Sequence, residues 1–189
     1  MAIKTAHLEL VPCLPEYLLW LIAEDGRFEE RFGLPAADGL QAFVVADEVS
    51  PSWLERLRAS SLAADPWVHG FAVVLLENRS VIGTVGFKGP PDEDGVVEIA
   101  YGIVPVFQGH GYATEATEAA VAFAFGSGQV RHVRAHTFPT LNASARVLAK
   151  CGFTRSGEVE DPENGLVWRW GLRELCRVFV NLSVPTRRP

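Results

Sequence analysis

The chain has little cysteine, and none of it is paired in sequence. Cys13, Cys151 and Cys176 are odd in number, widely spaced and without any Cys-x-x-Cys pair. That usage argues for reduced thiols in a cytoplasm and against a disulfide framework. Long apolar runs are missing too: none approaches the roughly 18 residues that a bilayer crossing needs. The opening Met-Ala-Ile-Lys-Thr-Ala-His lacks the apolar core of a signal peptide. Neither export nor a membrane partner is expected. Histidines are scattered; His132 and His136, four apart, share a face on a strand as they would on a helix, and no metal is expected. Acid is absent from residues 119 to 157, which carry Arg131, Arg134, Arg146, Lys150 and Arg155. With +5 there and −6 overall, the rest of the chain carries −11. A basic half beside an acidic half suits a polyanionic ligand on one side and a cationic one on the other; the alternative is that these are solvated faces. A net acidic chain without interleaved aromatics and lysines argues against nucleic acid. No internal repeat or low-complexity segment is present.

What is there is a globular composition. The chain has 189 residues, 48% of them hydrophobic and 21% charged. That is enough for one domain with a full core and too little for two, so residues 1–189 are expected to form a single domain. The polar, basic residues 183–189 are expected to be a flexible tail.

The chain is organised around residues 96–114. Val96, Val97, Ile99, Tyr101, Ile103 and Val104 form a short, nearly continuous apolar run, expected of a strand covered on both faces. Pro105 closes it. Thr114 to Phe125 is alanine-rich with Glu115 and Glu118 near its start, which predicts a helix beginning near Gly111 or Tyr112. Glycines at 109 and 111 let the backbone approach a ligand where the first helical N–H groups have no internal partner. Strand, glycine turn and helix in that order make an anion site fit for a phosphate.

The sequence argues against two other phosphate-binding turns. No Gly-Lys-Ser/Thr follows the glycines, and a dinucleotide fingerprint would need glycine or alanine at Thr114 and an acid about twenty residues on. The turn does match Gln/Arg-x-x-Gly-x-Gly/Ala, here Gln108-Gly109-His110-Gly111-Tyr112-Ala113. It resembles the acyl-coenzyme A pyrophosphate loop of the GNAT superfamily of N-acetyltransferases. Downstream, Asn142-Ala143-Ser144-Ala145-Arg146-Val147-Leu148-Ala149-Lys150-Cys151-Gly152-Phe153 is similar to the pattern of the branch containing ribosomal-protein N-terminal (alanine/serine) acetyltransferases. The segment Gly83 to Gly95 resembles that branch's hairpin ahead of the central strand. Together the matches span roughly residues 70 to 170; the first 60 residues match only in general character.

In chain order, residues 7–11 alternate like an early strand, and Pro12 and Pro15 break it. Glu16 to about Phe32 reads as one amphipathic helix interrupted near Gly26, with Glu24, Asp25, Glu29 and Glu30 as an acid cluster. Ser50-Pro51 starts a second helix through Leu62. Residues 69–76 and 80–87 are strands joined by Glu77-Asn78-Arg79, and Gly89 to Gly95 is a second turn. Gly126-Ser127-Gly128 ends the long helix, Arg131 to Phe138 alternates as a strand, and Asn142 caps a helix of residues 143–151 ended by Gly152. Phe153–Val159 and Val167–Leu172 form a final hairpin across Pro162-Glu163-Asn164-Gly165. The reading is α/β (α+β). The resemblance implies a mixed, mostly antiparallel twisted sheet of about six or seven strands flanked by about four helices.

The resemblance further implies acetyl-coenzyme A as co-substrate and a primary amine as acceptor, either a protein N-terminus or a small amine. A non-catalytic acyl-coenzyme A sensor on the same fold is the rival. By resemblance, the backbone of Ile103 and Val104 pairs with the pantetheine arm, with an N–H near Val104 as oxyanion donor. The loop from Gln108 through Gly109, His110, Gly111, Tyr112 and Ala113 to Thr114 meets the pyrophosphate. Asn142 contacts pantetheine as well as capping its helix, and Arg146 and Lys150 are candidates for the nucleotide phosphate, with exposed helix charges as the alternative. Glu98 is the only acid in the central strand and is the candidate base that takes the ammonium proton through water; the alternative is a structural ion pair. Many members place a general-acid tyrosine where this chain has Leu148. Ser144 is the best replacement as proton donor, or else only a first-turn helix residue. Phe28, Phe32 and Trp53 are candidates for the acceptor wall, or else core aromatics. Both monomer and homodimer stay open.

Overall fold

The computed structural model describes residues 1–23, 27–47, 51–59, 63–162 and 165–174. Two short strands, β1 (Ile3–Lys4) and β2 (Leu8–Pro12), lead into four helices: α1 (Pro15–Ile22), α2 (Arg27–Phe32), α3 (Leu40–Asp47) and α4 (Pro51–Ala59). Strands β3 (Phe71–Leu75), β4 (Val81–Phe87) and β5 (Val96–Ile103) follow, then a 3-10 turn (Pro105–Phe107) and α5 (Tyr112–Gly126). The chain continues through β6 (His132–Thr137), α6 (Ala143–Lys150), β7 (Thr154–Asp161) and β8 (Gly165–Arg173). The strands make one sheet in the order β1-β2-β3-β4-β5-β6-β8-β7. All pairs between neighbouring strands are antiparallel except β5 with β6. The mixed α/β architecture is the expected one, with eight strands rather than six or seven and six helices rather than four.

The surplus has local causes. The long helix foreseen over residues 16–32 is two helices, and its predicted interruption at Gly26 lies outside the described residues. Pro15, expected only to help end the first strand, occupies the opening position of α1, where its missing N–H costs nothing. Helix α3 was not foreseen: Leu-Gln-Ala-Phe-Val-Val-Ala-Asp carries no charge before its last residue, so no polar stripe marks a helical period. Leu40 and Val44, four apart, are its buried face. Ser50, the predicted cap of α4, Glu163 and Asn164 of the last turn, Cys176 and the tail from 183 also lie outside the described residues. Cys13 and Cys151 are unbridged.

Side chains alternate across the sheet and build two cores. On one face, Leu8, Leu10, Phe71, Val73, Val85, Phe87, Val97, Ile99, Val133, Ala135 and Trp170 pack under α5 and α6. Helix α5 fits closely because its buried positions are Ala116, Thr117, Ala120, Val121 and Ala124, mostly small and recurring every three or four residues. On the other face, Ala72, Val74, Val81 and Val104 pack beneath Leu18, Leu21, Phe28, Leu40, Val44 and Leu57 of α1 to α4. Apart from Val104 just past the end of β5, that second core takes its sheet residues from β2 to β4. The expectation that the central strand is covered on both faces therefore holds on one: Ala100 is exposed and Glu98 half-buried.

Candidate active site: a split sheet and an amide-lined loop

Strand β5 changes partners along its length. It pairs with β6 only through Val96, Val97 and Glu98, opposite His132, Val133 and Arg134. It stays with β4 from Ile99 to Ile103, while β6 stays with β8 over His132–Thr137. Beyond Glu98 the sheet therefore opens between β5 and β6. Lys88 N–H donates to Glu98 O at 2.9 Å and Val104 N–H to Ile82 O at 3.0 Å. Backbone groups alternate between the two edges of a strand, so those of residues 98, 100, 102 and 104 face β4 and those of Ile99, Tyr101 and Ile103 face the opening. Val104, expected to meet a ligand through its N–H, has that group engaged by Ile82; the Ile103 N–H points into the gap.

The opening leads to the glycine turn. Gly109 and Gly111 both adopt the left-handed region, φ +81° and +89°, which L side chains rarely enter. Gln108 spends its side chain at 2.7 Å on Ile103 O, and its own N–H on Pro105 O at 3.1 Å. It thus ties the loop to the end of β5. Helical hydrogen bonding resumes with Glu115 N–H on Gly111 O at 3.0 Å. No acceptor among the described residues meets the N–H groups of Gly109, His110, Gly111, Tyr112, Ala113 or Thr114. Six amides in a row, at the positive end of a fifteen-residue helix, are a cradle for an anion. The exposed His110 ring stacks on Tyr112 at 5.6 Å, with Nδ1 2.9 Å from Gln108 O. Glu115, an acid in this first turn, is held by His7, whose N–H lies 2.7 Å from Oε1 and whose Nδ1 lies 2.9 Å from Oε2. Burial alone would raise the Glu115 carboxyl, but hydrogen bonds from Thr5 and His7 outweigh it and keep it below the usual carboxylate range.

Glu98 sits at the apex of the split, on the last residue of β5 that still pairs with β6. Lys88 Nζ lies 2.6 Å from its Oε1 and His136 Nδ1 3.0 Å from the same oxygen. The His136 approach is close enough for an ion pair but is badly directed for a hydrogen bond, so Nδ1 has no geometrically sound partner. Burial pushes the Glu98 carboxyl up; Lys88 and then His136 outweigh it, leaving it below its ordinary value. Both partners escaped the sequence reading. The Lys88 contact was the more legible, because Lys88 faces Glu98 across the turn of residues 89–95 and hairpin register would have paired them.

On the opposite face of β5, the Tyr101 hydroxyl donates to Ser144 O at 3.1 Å and lies 3.0 Å from Ser144 Oγ. Burial pushes this phenol up to about 12, only partly offset by Ser144, so it keeps its proton at neutral pH. Sequence reasoning missed the pair because 43 residues separate its members. Ser144 is presented by α6, whose first turn is capped by Asn142 Oδ1 accepting from Ala145 N–H at 2.8 Å. Leu148, where the resemblance implied a tyrosine in many members, is fully buried in the core. Arg146 is exposed and donates to Leu141 O at 3.2 Å; Lys150 is exposed at the helix end. Cys151 lies 3.7 Å from Thr114 O, its thiol pushed up to about 12 by burial and then by Glu118, so it links α6 to α5 as an inert neutral group.

Of the candidate acceptor aromatics, Phe28 belongs to the same core as Val104, with Phe32 packed against it. Phe28 is buried and stacks on Phe32 at 5.0 Å, and Tyr17 meets Phe32 edge-on at 4.9 Å. These rings join α1 and α2 into the second core, with Phe32 half-buried. Trp53 belongs to α4, but its side chain lies outside the described residues. No group of His, Cys, Asp and Glu that could hold a metal occurs among the described residues. No helix among them is long and apolar enough to cross a membrane.

Comparison with known proteins bears on the fold and the family. The protein p20 of Bacillus licheniformis, called an uncharacterized N-acetyltransferase, is 28% identical over 55% of this chain and 58% of its own length. The chain spans about half the length of the curated relatives it matches. Among solved structures, a ribosomal-protein alanine acetyltransferase from Vibrio fischeri superimposes with a TM-score of 0.63 at 18% identity, over 92% of this chain and 96% of that one. The ribosomal-protein acetyltransferase RimL, solved with coenzyme A, gives 0.63 at 15% identity over 92% and 98%. At such identities the likeness shows the fold. The acetyltransferase (GNAT) domain family matches residues 29–154, two thirds of the sequence, and the chain belongs to that family.

Proposed function

We propose that the protein transfers an acetyl group from acetyl-coenzyme A to a primary amine by direct attack in a ternary complex. One observation carries the reading: a mid-sheet opening, edged by the backbone of Ile99, Tyr101 and Ile103, runs straight into the row of amides from Gly109 to Thr114. The open edge fits a thread with amide groups of its own, and the loop fits a diphosphate. Acetyl-coenzyme A supplies the thioester, whose carbon–sulfur bond is exchanged for the carbon–nitrogen bond of the product amide.

The chain's own groups then divide the proton work. An alkylammonium is mostly protonated at neutral pH, and Glu98 is the one carboxylate at the apex able to receive its proton through water. Lys88 and then His136 hold its carboxyl below the ordinary value, so it takes the ammonium proton only fleetingly, through water, before the freed nitrogen lone pair attacks the thioester carbon. The Ile103 N–H, rather than that of Val104, is free to face developing negative charge. Ser144, backed by the neutral Tyr101 hydroxyl, is the donor to the leaving thiolate. Asn142 holds the turn that presents Ser144, and Arg146 and Lys150, both exposed on α6, are the candidates for the nucleotide phosphate.

The candidate acceptors are a protein N-terminal amine, in line with the name of one structural neighbour, an alpha-N-protein acetyltransferase, or a small amine. A second reading, a non-catalytic acyl-coenzyme A sensor, is favoured by the double engagement of Glu98 and by the buried leucine at position 148. Free-thiol release across an amine panel separates the two. Glu98→Gln should lower kcat by about a hundredfold or more with the dissociation constant for coenzyme A unchanged. Gly111→Val should weaken coenzyme A binding at least tenfold; unaltered binding would remove the loop from the site.

A further inference from the structure

Over β5, β6 and β8 no residue on the face that carries Glu98 belongs to the core beneath the N-terminal helices, and most of its side chains are basic, Val167 of β8 being buried on the same side. Register places Arg134 beside Glu98, with Arg169 opposite His136 and Arg173 opposite His132. Because alternate residues share a face, Lys88, His132, Arg134, His136, Arg169 and Arg173 all lie on the side of Glu98. No carboxylate among the described residues comes within ion-pair distance of Arg134, Arg169 or Arg173. The His132 ring leans over Gly171, where any Cβ would press against Nε2. It is thus packed among the three guanidiniums, with burial and then their charges holding its pKa below the usual histidine value. The turn of residues 89–95 ends alongside, but Asp92 is spent on the N–H groups of Asp94 and Val96. Three guanidiniums without a carboxylate partner among the described residues, grouped around His132, keep donors free for a counter-ion, and Arg forks suit carboxylate or phosphate oxygens.

This basic cluster lies beside Glu98, where a purely cationic acceptor would find no carboxylate among the described residues but Glu98 itself. We infer that the acceptor amine belongs to a molecule that also carries an oxyanion, seated by Arg134, Arg169 and Arg173 while the amine faces Glu98. Strand spacing of about 4.8 Å places the cluster one to two strands from Glu98, so amine and oxyanion are separated by roughly 5–10 Å. The inference rests on the proposed transferase activity and adds its substrate class. It assigns the cluster to the acceptor rather than to the cofactor because it lies on the sheet face opposite α5 and α6.

The test is acetyl-coenzyme A turnover on matched acceptors. One arm uses peptides identical except for glutamate, glutamine or lysine at the second and third positions. The other uses small amines with and without a carboxylate or phosphate; together the arms separate a peptide source of the oxyanion from a small-molecule source. In at least one arm the anionic members should exceed the neutral ones by tenfold or more in kcat/KM, with cationic members lower still and the gap narrowing as salt rises. Arg169→Gln combined with Arg134→Gln should remove the preference through KM, leaving kcat and coenzyme A binding unchanged, and Arg169→Lys should restore part of it. Turnover with no gain from an anionic group would overturn the inference alone. A matching loss of coenzyme A affinity in the double variant would reassign the cluster to the cofactor and also overturn it. Turnover of no amine at all would remove the transferase reading and the inference with it.

Discussion

The two halves of the sheet are built on different terms. In β2 to β4 both faces are sealed: Phe71 and Val73 beneath α5, Ala72 and Val74 beneath the N-terminal helices, none more than 3% exposed. From β5 onward one face is sealed and the other carries Glu98, Arg134, His136 and Arg169. The sealed half supplies burial energy with no chemistry; the half-open one holds charges that a two-sided core would not tolerate. The difference teaches that burial and charge are separated sideways across one sheet, with the split beside β5 as their border.

Substitutions can test that border. Phe71→Ala should cost most, about 3–5 kcal/mol, because the ring is fully buried and meets Phe123 at 5.3 Å; chemical denaturation reads it, and a loss below about 1 kcal/mol would mean the sealed half is not the foundation. Asn142→Ala should cost about 1 kcal/mol by removing the α6 cap, and it should also lower turnover, since Ser144 sits in that first turn. Lys88→Met should cost at most about 1 kcal/mol, as befits a half-exposed ion pair. Its sharper signature is in pH. Glu98 is depressed in the folded protein, so the pair's stabilisation is full above the usual carboxylate range and is lost as pH falls through the lower folded value. The stability difference between Lys88→Met and the parent should therefore vanish in acid, and the acid limb of kcat/KM should move to higher pH. A limb that does not move would take Glu98 out of the proton path. The smallest effect is expected for Arg134→Gln, within about 0.5 kcal/mol in unfolding; a large loss would show that the open face is core after all.

How much could be read in advance follows the same border. The strand, glycine turn and helix of residues 96–126 were legible because local residue types dictate them: Gly111 at φ +89°, a helix starting at Tyr112, Asn142 capping α6. The long-range arrangement was not. Nothing in sequence says that β8 inserts between β6 and β7, or that β5 leaves β6 after three residues, since both depend on pairings between distant segments. For that reason Glu98 was singled out but Lys88 and His136 were not, and Ser144 was singled out without Tyr101. The uncharged Leu40–Asp47 stretch hid a helix for a simpler reason: it has no amphipathic signature.

Where the opening lies has one more consequence. An unsatisfied strand margin at the rim of a sheet invites another polypeptide to add itself, and proteins guard against such accretion. Here the vacant rungs are recessed in mid-sheet between flanking ladders, so a ribbon bearing side chains cannot dock broadside. A slender filament entering lengthwise can, which makes the fissure a filter by girth as well as by hydrogen bonding.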